Sequence, residues 1–158
     1  MVIIGENIIE KKSFDFAIRI VRLYKYLTEE KKEFVLSKQL LRSGTSIGAN
    51  VSEAERGQTK PDFYTKMNIA CKEAYESYYW LRLLHATDYL NDNEFKSLEC
   101  DIKEVISQCK KILEHPVTKY FVQAIWGVDL KLTKATANEI STNLTNDPRG
   151  TAQLVGMG

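Results

Sequence analysis

The chain has 158 residues, of which 44% are hydrophobic, and its 22 basic residues nearly balance its 21 acidic ones. This length suits a single domain with a real hydrophobic core, and the apolar content excludes an intrinsically disordered chain. A net charge of +1 is no nucleic-acid signature by itself, so any basic surface must come from the placement of the charges.

The N-terminal segment and the cysteines point away from export, membranes and metals. Glu6 and Glu10 interrupt the apolar N-terminus, and no apolar run is long enough to span a bilayer, so we expect a cytoplasmic protein without membrane contact. The cysteines Cys71, Cys100 and Cys109 form no CxxC motif, and their helical surroundings predict small buried side chains. We expect no metal and no cofactor.

The first helix is predicted to run from Phe14 to about Leu27, with Ser13 as its N-cap. Its expected buried stripe consists of apolar residues three or four apart: Phe14, Ala17, Val21 and Tyr24, flanked by Ile18 and Ile20. The charged segment 28–33 then forms a connector or a capped first turn. A second apolar period follows at Leu36, Leu40, Ile47, Val51 and Ala54.

Two capping patterns mark the start of the third and fourth helices. Thr59 with Asp62 resembles a capping box, as does Asn91 with Glu94, and Pro61 suits a first helical turn. The third helix has a heptad stripe at Phe63, Met67, Ala70, Ala74, Ser77, Leu81 and Leu84. The fourth has apolar residues at Phe95, Leu98, Ile102, Val105, Cys109 and Ile112.

Four amphipathic helices joined by short connectors predict an all-α protein, an antiparallel up-down four-helix bundle over residues 10–115. Residues 116–158 form an atypical C-terminal extension. Within it, 117–126 is typical of a short helix or a strand, and the alternation over 128–132 favours a strand. The aperiodic segment 146–158 predicts a mobile tail.

The segment RSGTSIGANVSEAERG, residues 42–57, is unusually rich in small residues. A phosphate-binding loop is excluded because no lysine and hydroxyl follow the glycines and the preceding segment is helical in pattern. On a helix, Gly44 and Gly48 lower stability unless another backbone approaches closely, either inside the bundle or between subunits; the plain alternative is that they are merely tolerated. Candidate interface or close-packing residues on this helix are Gly44, Ser46, Gly48, Ala49, Asn50 and Glu53.

The third helix repeats this indication with KEAYESYYWLRLL, residues 72–84, which places four large aromatic residues within six positions. Tyr75, Tyr79 and Trp80 are candidate interface residues because aromatic side chains anchor protein interfaces. A wide core face is the alternative. Stacking on nucleobases is a weaker alternative, since it usually comes with a basic groove.

QLLRSGTSIGANVSEA (39–54) followed by KEAYESYYWLRLL resembles the four-helix bundle proteins encoded within intervening sequences of bacterial 23S rRNA. The resemblance covers roughly residues 10–113. It implies a ring-like homopentamer of antiparallel bundles, and related bundles are accessory proteins of diversity-generating retroelements that associate with a reverse transcriptase and bind nucleic acid. Many relatives carry proline where this chain has Gly48, and members generally end soon after the fourth helix.

No catalytic constellation is present. Neither His85 nor His115 follows a glutamate by three residues, as a di-iron bundle would require, so we expect no enzymatic activity. Two functions remain: a homo-oligomeric adaptor that binds RNA, DNA or a nucleic-acid enzyme, and a scaffold or protein-interaction module with no nucleic-acid role. The first would use basic side chains repeated around the assembly as phosphate contacts, namely Lys38, Arg42, Arg56, Lys60 and Lys66.

Overall fold

The computed structural model of the protein describes residues 4–116, with side-chain environments from residue 8 onward. Within that range the secondary structure consists of four long helices: α1 (Ile4–Glu29), α2 (Leu36–Glu55), α3 (Lys60–Ala86) and α4 (Asp92–Leu113). The prediction of an all-α protein is therefore confirmed. The predictions for residues 117–158, a short helix or strand, a further strand and a mobile tail, lie outside the described residues.

The helices are arranged as a four-cornered bundle. Each packs against two neighbours, and within the described range the Cα atoms of the diagonal pairs α1–α3 and α2–α4 stay more than 8 Å apart. The ion pair between Lys12 and Glu104 and the hydrogen bond from Arg19 to the backbone oxygen of Ser97 run in opposite chain order, which makes α1 and α4 antiparallel. Such contacts agree with the predicted up-down bundle.

The core confirms the predicted stripes of the last three helices and corrects that of the first. Phe14 and Val21 are exposed, whereas Phe16 and Ile20 are completely buried. In α1 the buried face consists of Ile9, Ser13, Phe16, Ile20 and Leu27. The prediction was wrong because α1 carries apolar residues on two faces, and periodicity alone does not say which of them meets the bundle.

The start of the first helix was also predicted wrongly. Ser13 is buried in the middle of α1, where its hydroxyl donates to the backbone oxygen of Glu10, and it caps nothing. Thr59 is confirmed as a side-chain N-cap, since its hydroxyl accepts from the backbone nitrogen of Asp62 at 3.2 Å. At Asn91 the predicted capping box with Glu94 is complete, with both bonds at 2.9 Å.

A buried carboxylate begins α2. Glu33 accepts hydrogen bonds from the backbone nitrogens of Val35, Leu36 and Ser37 at 3.0, 2.8 and 2.6 Å. Burial alone would raise the pKa of Glu33, but these donors outweigh it and hold that pKa below its ordinary value. Glu33 therefore replaces the missing side-chain cap at Val35 and joins the α1–α2 connection to the helix.

Candidate nucleic-acid and assembly surfaces

The two glycines of α2 face α1 of the same chain. A Cβ at Gly44 would lie 2.9 Å from both Cγ atoms of Ile20, so only glycine fits there without movement of a buried side chain. A Cβ at Gly48 would lie 3.5 Å from the backbone oxygen of Ser13, an ordinary contact distance. The close backbone approach at this segment is thus made inside the bundle.

Arg42 takes part in a network between α2 and α3. Its guanidinium donates to Glu73 at 3.4 Å and, more closely, to Glu76, whose carboxylate also accepts from the indole nitrogen of Trp80 at 3.1 Å. Partial burial would raise the pKa of Glu76, but the bonds from Arg42 and Trp80 prevail and lower it. A phosphate would have to compete with two carboxylates for this arginine.

Two further pairs occupy the polar side of α2. Lys66 forms a 2.6 Å ion pair with Glu53, which links the end of α2 to the start of α3. The side-chain amide of Asn50 donates to the backbone oxygen of Ser46 at 2.8 Å, so these two residues are bonded within their own helix. Ala49 is exposed beside them.

The five predicted phosphate contacts do not form one continuous patch. Lys38 lies in the first turn of α2 and Arg56 just beyond its end, about 27 Å apart at 1.5 Å per residue. Arg56 and Lys66 line a groove at the α2–α3 turn together with the acidic Glu53 and Asp62. Lys60, the first residue of α3, lies at the same end of the bundle.

The aromatic residues of α3 differ in exposure. Tyr75 is 45% exposed and Tyr79 is 54% exposed, whereas Trp80 is half-buried and meets the Tyr79 ring edge-on, with centroids 5.0 Å apart. Tyr75 and Tyr79 therefore project from the bundle, toward the side on which α4 packs. Trp80 lies on the opposite flank of α3, next to Arg42 and Glu76.

A second basic surface lies on the outer side of α3 and α4, and sequence reasoning missed it. Lys110 lies 5.5 Å from the ring centre of Tyr75, and Lys103 and Arg82 lie 5.6 and 5.7 Å from that of Tyr78. One signal could have indicated it, because Lys96, Lys103 and Lys110 recur every seven residues and so share one helix face. We name this the tyrosine–lysine face; its residues are Tyr75, Tyr78, Tyr79, Arg82, Lys103 and Lys110.

A third surface, the outer side of α1, is apolar. Phe14 is 64% exposed, and Ile18 and Val21 lie on the same side of the helix, each more than a third exposed. Phe14 also lines a groove between α1 and α2 together with Gly48 and Ser52. We name Phe14, Ile18 and Val21 the α1 outer face.

Among residues 4–116, no three histidine, cysteine or acidic side chains lie close enough together to hold a metal ion. None of the four helices is both long and apolar enough to cross a bilayer. Cys71 and Cys109 are buried as predicted, but Cys100 is exposed, because it lies on the outer side of α4.

The family model for the 23S rRNA-intervening sequence protein matches residues 5–111, about two thirds of the chain. The chain belongs to this family. A solved crystal structure, of a protein of unknown function from the S23 ribosomal protein family of Bacteroides thetaiotaomicron, is 50% identical to it. That similarity covers 70% of this chain and 99% of the other, with a TM-score of 0.69. No curated protein matches the chain.

Membership in the 23S rRNA-intervening sequence protein family confirms the resemblance drawn from residues 39–54 and 72–84. Those two segments meet in the structure, since the Arg42 network joins α2 to α3. Neither the family description nor that of the Bacteroides protein names an enzymatic activity.

Proposed function

We propose that this protein is a non-enzymatic, homo-oligomeric adaptor, a pentamer by family resemblance, that binds nucleic acid or a nucleic-acid-processing partner such as a reverse transcriptase. The α1 outer face is the observation that carries the assembly part. Three large apolar side chains exposed on one side of a helix are typical of a surface that another copy covers. Ala49, and the exposed Tyr75 and Tyr79, are further candidates for contacts between copies.

The nucleic-acid part rests on the resemblance to accessory bundles that bind nucleic acid; the family's own name refers to the intervening sequences of 23S rRNA. A nearly neutral subunit can still bind RNA when basic side chains recur around a ring, because each copy adds a phosphate contact to the same particle. Lys38, Arg56 and Lys60 remain candidate contacts on α2 and at the α2–α3 turn. Arg42 and Lys66 are weaker candidates because both are paired with carboxylates.

A scaffold with no nucleic-acid role is the second candidate. The pairing of Arg42 and Lys66 with carboxylates favours it, because those pairs reduce the basic charge presented by α2. This function predicts a protein partner and no salt-dependent affinity for RNA.

Light scattering of the full chain, at low and high salt and with and without bacterial RNA, tests the proposal. The adaptor predicts a particle near 90 kDa, five times the 18.1 kDa of one chain, whose mass rises with RNA at low salt only. An 18 kDa monomer would contradict the assembly. A pentamer that ignores RNA would favour the scaffold.

A further inference from the structure

We propose that the tyrosine–lysine face binds single-stranded nucleic acid, with Tyr79 and Tyr75 stacking on bases and the neighbouring cations holding phosphates. The inference rests on the proposed nucleic-acid function and names the surface that performs it. It places the contacts on the α3–α4 side of the bundle rather than on the α2–α3 side, where sequence reasoning placed them. It also assigns Tyr75 and Tyr79 to nucleic acid rather than to contacts between copies.

On the tyrosine–lysine face, aromatic rings lie beside cations. Two of its three tyrosines have at least one ammonium or guanidinium group within 6 Å of the ring centre: Lys110 for Tyr75, and Lys103 with Arg82 for Tyr78. Single-strand binding surfaces combine these two elements, since an aromatic ring stacks on a base while a nearby cation meets the phosphate.

The shape of this surface also suits a single strand. A groove of about 420 Å³ runs between α3 and α4, lined by Tyr78, Tyr79, Arg82 and His85. His85 lies flat on Phe95, with ring centres 4.3 Å apart and planes within 3° of parallel, and this stack forms part of the wall. A flat base fits such an open, ring-lined groove, whereas duplex bases are already stacked on each other.

The face is also long and carries several positive charges. Lys103 and Lys110 belong to this face, and Lys96 lies seven residues before Lys103 on the same side of α4. The three lysines span fifteen residues, about 21 Å, so phosphates several nucleotides apart can be contacted. Lys110 makes no salt bridge with any described residue. Carboxylates also lie among these cations: Glu99 accepts from Lys103 and from the Tyr78 hydroxyl, each at 2.8 Å, while Glu114 lies near Lys110 and Asp92 near Lys96.

Replacing Glu99 tests the inference through an expected gain in affinity for nucleic acid rather than a loss. The hydrogen bond from Lys103, and then that from Tyr78, lower the pKa of Glu99, so it is an anion at neutral pH. Its charge opposes a phosphate and engages Lys103. Glu99→Gln should therefore tighten binding several-fold. The slope of the logarithm of the binding constant against the logarithm of the salt concentration should become steeper by about 0.7, the value for one added phosphate contact on a single strand.

The experiment measures fluorescence anisotropy of a labelled, unstructured 20-nucleotide oligouridylate with the full chain across a salt series. Replacing both Lys103 and Lys110 with Gln should lower the steepness of the salt dependence by about 1.4. Tyr79→Ala should weaken binding roughly tenfold while Tyr79→Phe retains it, because the ring stacks. Lys25→Gln with Lys32→Gln, on α1 and in the α1–α2 connection, removes equal charge and serves as the control.

The remaining outcomes separate failure of this inference from failure of the proposed function. Wild-type chain that binds no oligouridylate, oligothymidylate or structured RNA at low salt overturns this inference together with the nucleic-acid part of the proposed function. RNA binding lost in Lys38→Gln but unchanged in the α3 and α4 variants overturns the inference alone. A duplex that competes better than the single strand argues against stacking, and a lower native mass in Tyr79→Ala would make this face an assembly contact instead. Oligothymidylate distinguishes DNA from RNA.

Discussion

Single side chains of this protein often have a role that their type does not announce. Glu33 belongs to a charged run and would be expected in solvent, yet it is only 7% exposed and bonds three backbone nitrogens. Ser13 has the character of a helix cap but lies in the core, next to Gly48. In both residues the tertiary contact outweighs the local preference.

Glu33 should make stability depend on pH in the acid range. Its pKa is lowered in the folded state, so the stabilisation is complete above the unfolded-state pKa and is lost as pH falls through the folded-state pKa. We expect Glu33→Gln to cost about 1–2 kcal/mol at neutral pH, since the amide replaces a carboxylate that accepts three bonds. Urea unfolding of both proteins between about pH 7 and pH 3 measures this.

The difference between the two proteins isolates Glu33 from the other carboxylates. Their free energies of unfolding should converge as the pH falls, because protonated glutamic acid and glutamine carry the same charge. Curves that stay parallel throughout would show that the charge of Glu33 does not stabilise α2.

Among the helices, α2 depends most on small residues. Its polar side is held by the Arg42 network and by the Glu53–Lys66 pair, and its inner side lies close against α1 at Gly44 and Gly48. The two glycines nevertheless differ. Gly44 has no room for a methyl group, whereas Gly48 has ordinary contact distance around the position of one.

We expect opposite effects from alanine at these two positions. Gly48→Ala should stabilise the protein by up to about 1 kcal/mol through helix propensity. Gly44→Ala should destabilise it by about 1–3 kcal/mol, because Ile20 is buried and its β-branched side chain has little freedom to move. Thermal or urea unfolding of the two variants measures the change in the free energy of unfolding. Equal changes in both would contradict the difference in packing.

Gly48→Leu tests the same contact with a larger side chain. Leucine adds three carbons beyond a Cβ that already lies in contact with the Ser13 backbone, so we expect the variant to lose either its fold or its native mass. An unchanged particle would mean that this glycine has no packing role.

In the whole molecule, charge and apolar surface are distributed unevenly around a nearly neutral bundle. The α1 outer face is apolar, the α2–α3 side is rich in ion pairs, and the tyrosine–lysine face combines rings with cations. This separation allows one side to contact copies of the chain while another remains available for nucleic acid.

Charge placed on the α1 outer face should therefore break the assembly. Phe14 is 64% exposed, so Phe14→Glu should leave the bundle folded and reduce the native mass. Phe34→Glu is the matched control, because Phe34 is 59% exposed in the α1–α2 connection. Light scattering with circular dichroism separates loss of assembly from loss of fold, and equal masses for the two variants would exclude this face as the interface.

Periodicity and capping chemistry were sufficient for much of the fold. The stripes of α2, α3 and α4, the caps at Thr59 and Asn91, and the bundle itself could all be predicted, because each depends on residues within a few turns of one another. Two paired segments, 39–54 and 72–84, were also enough to indicate the family.

The tertiary structure alone decided which of the two apolar faces of α1 is buried, that Arg42 is held by Glu73 and Glu76, and that rings from α3 meet cations from α4. Each of these joins residues far apart in the chain, and local pattern carries no information about such distances. Sequence by itself determines which helices form and which residues are able to line a core. The packing of one helix against another determines which surfaces are left for function.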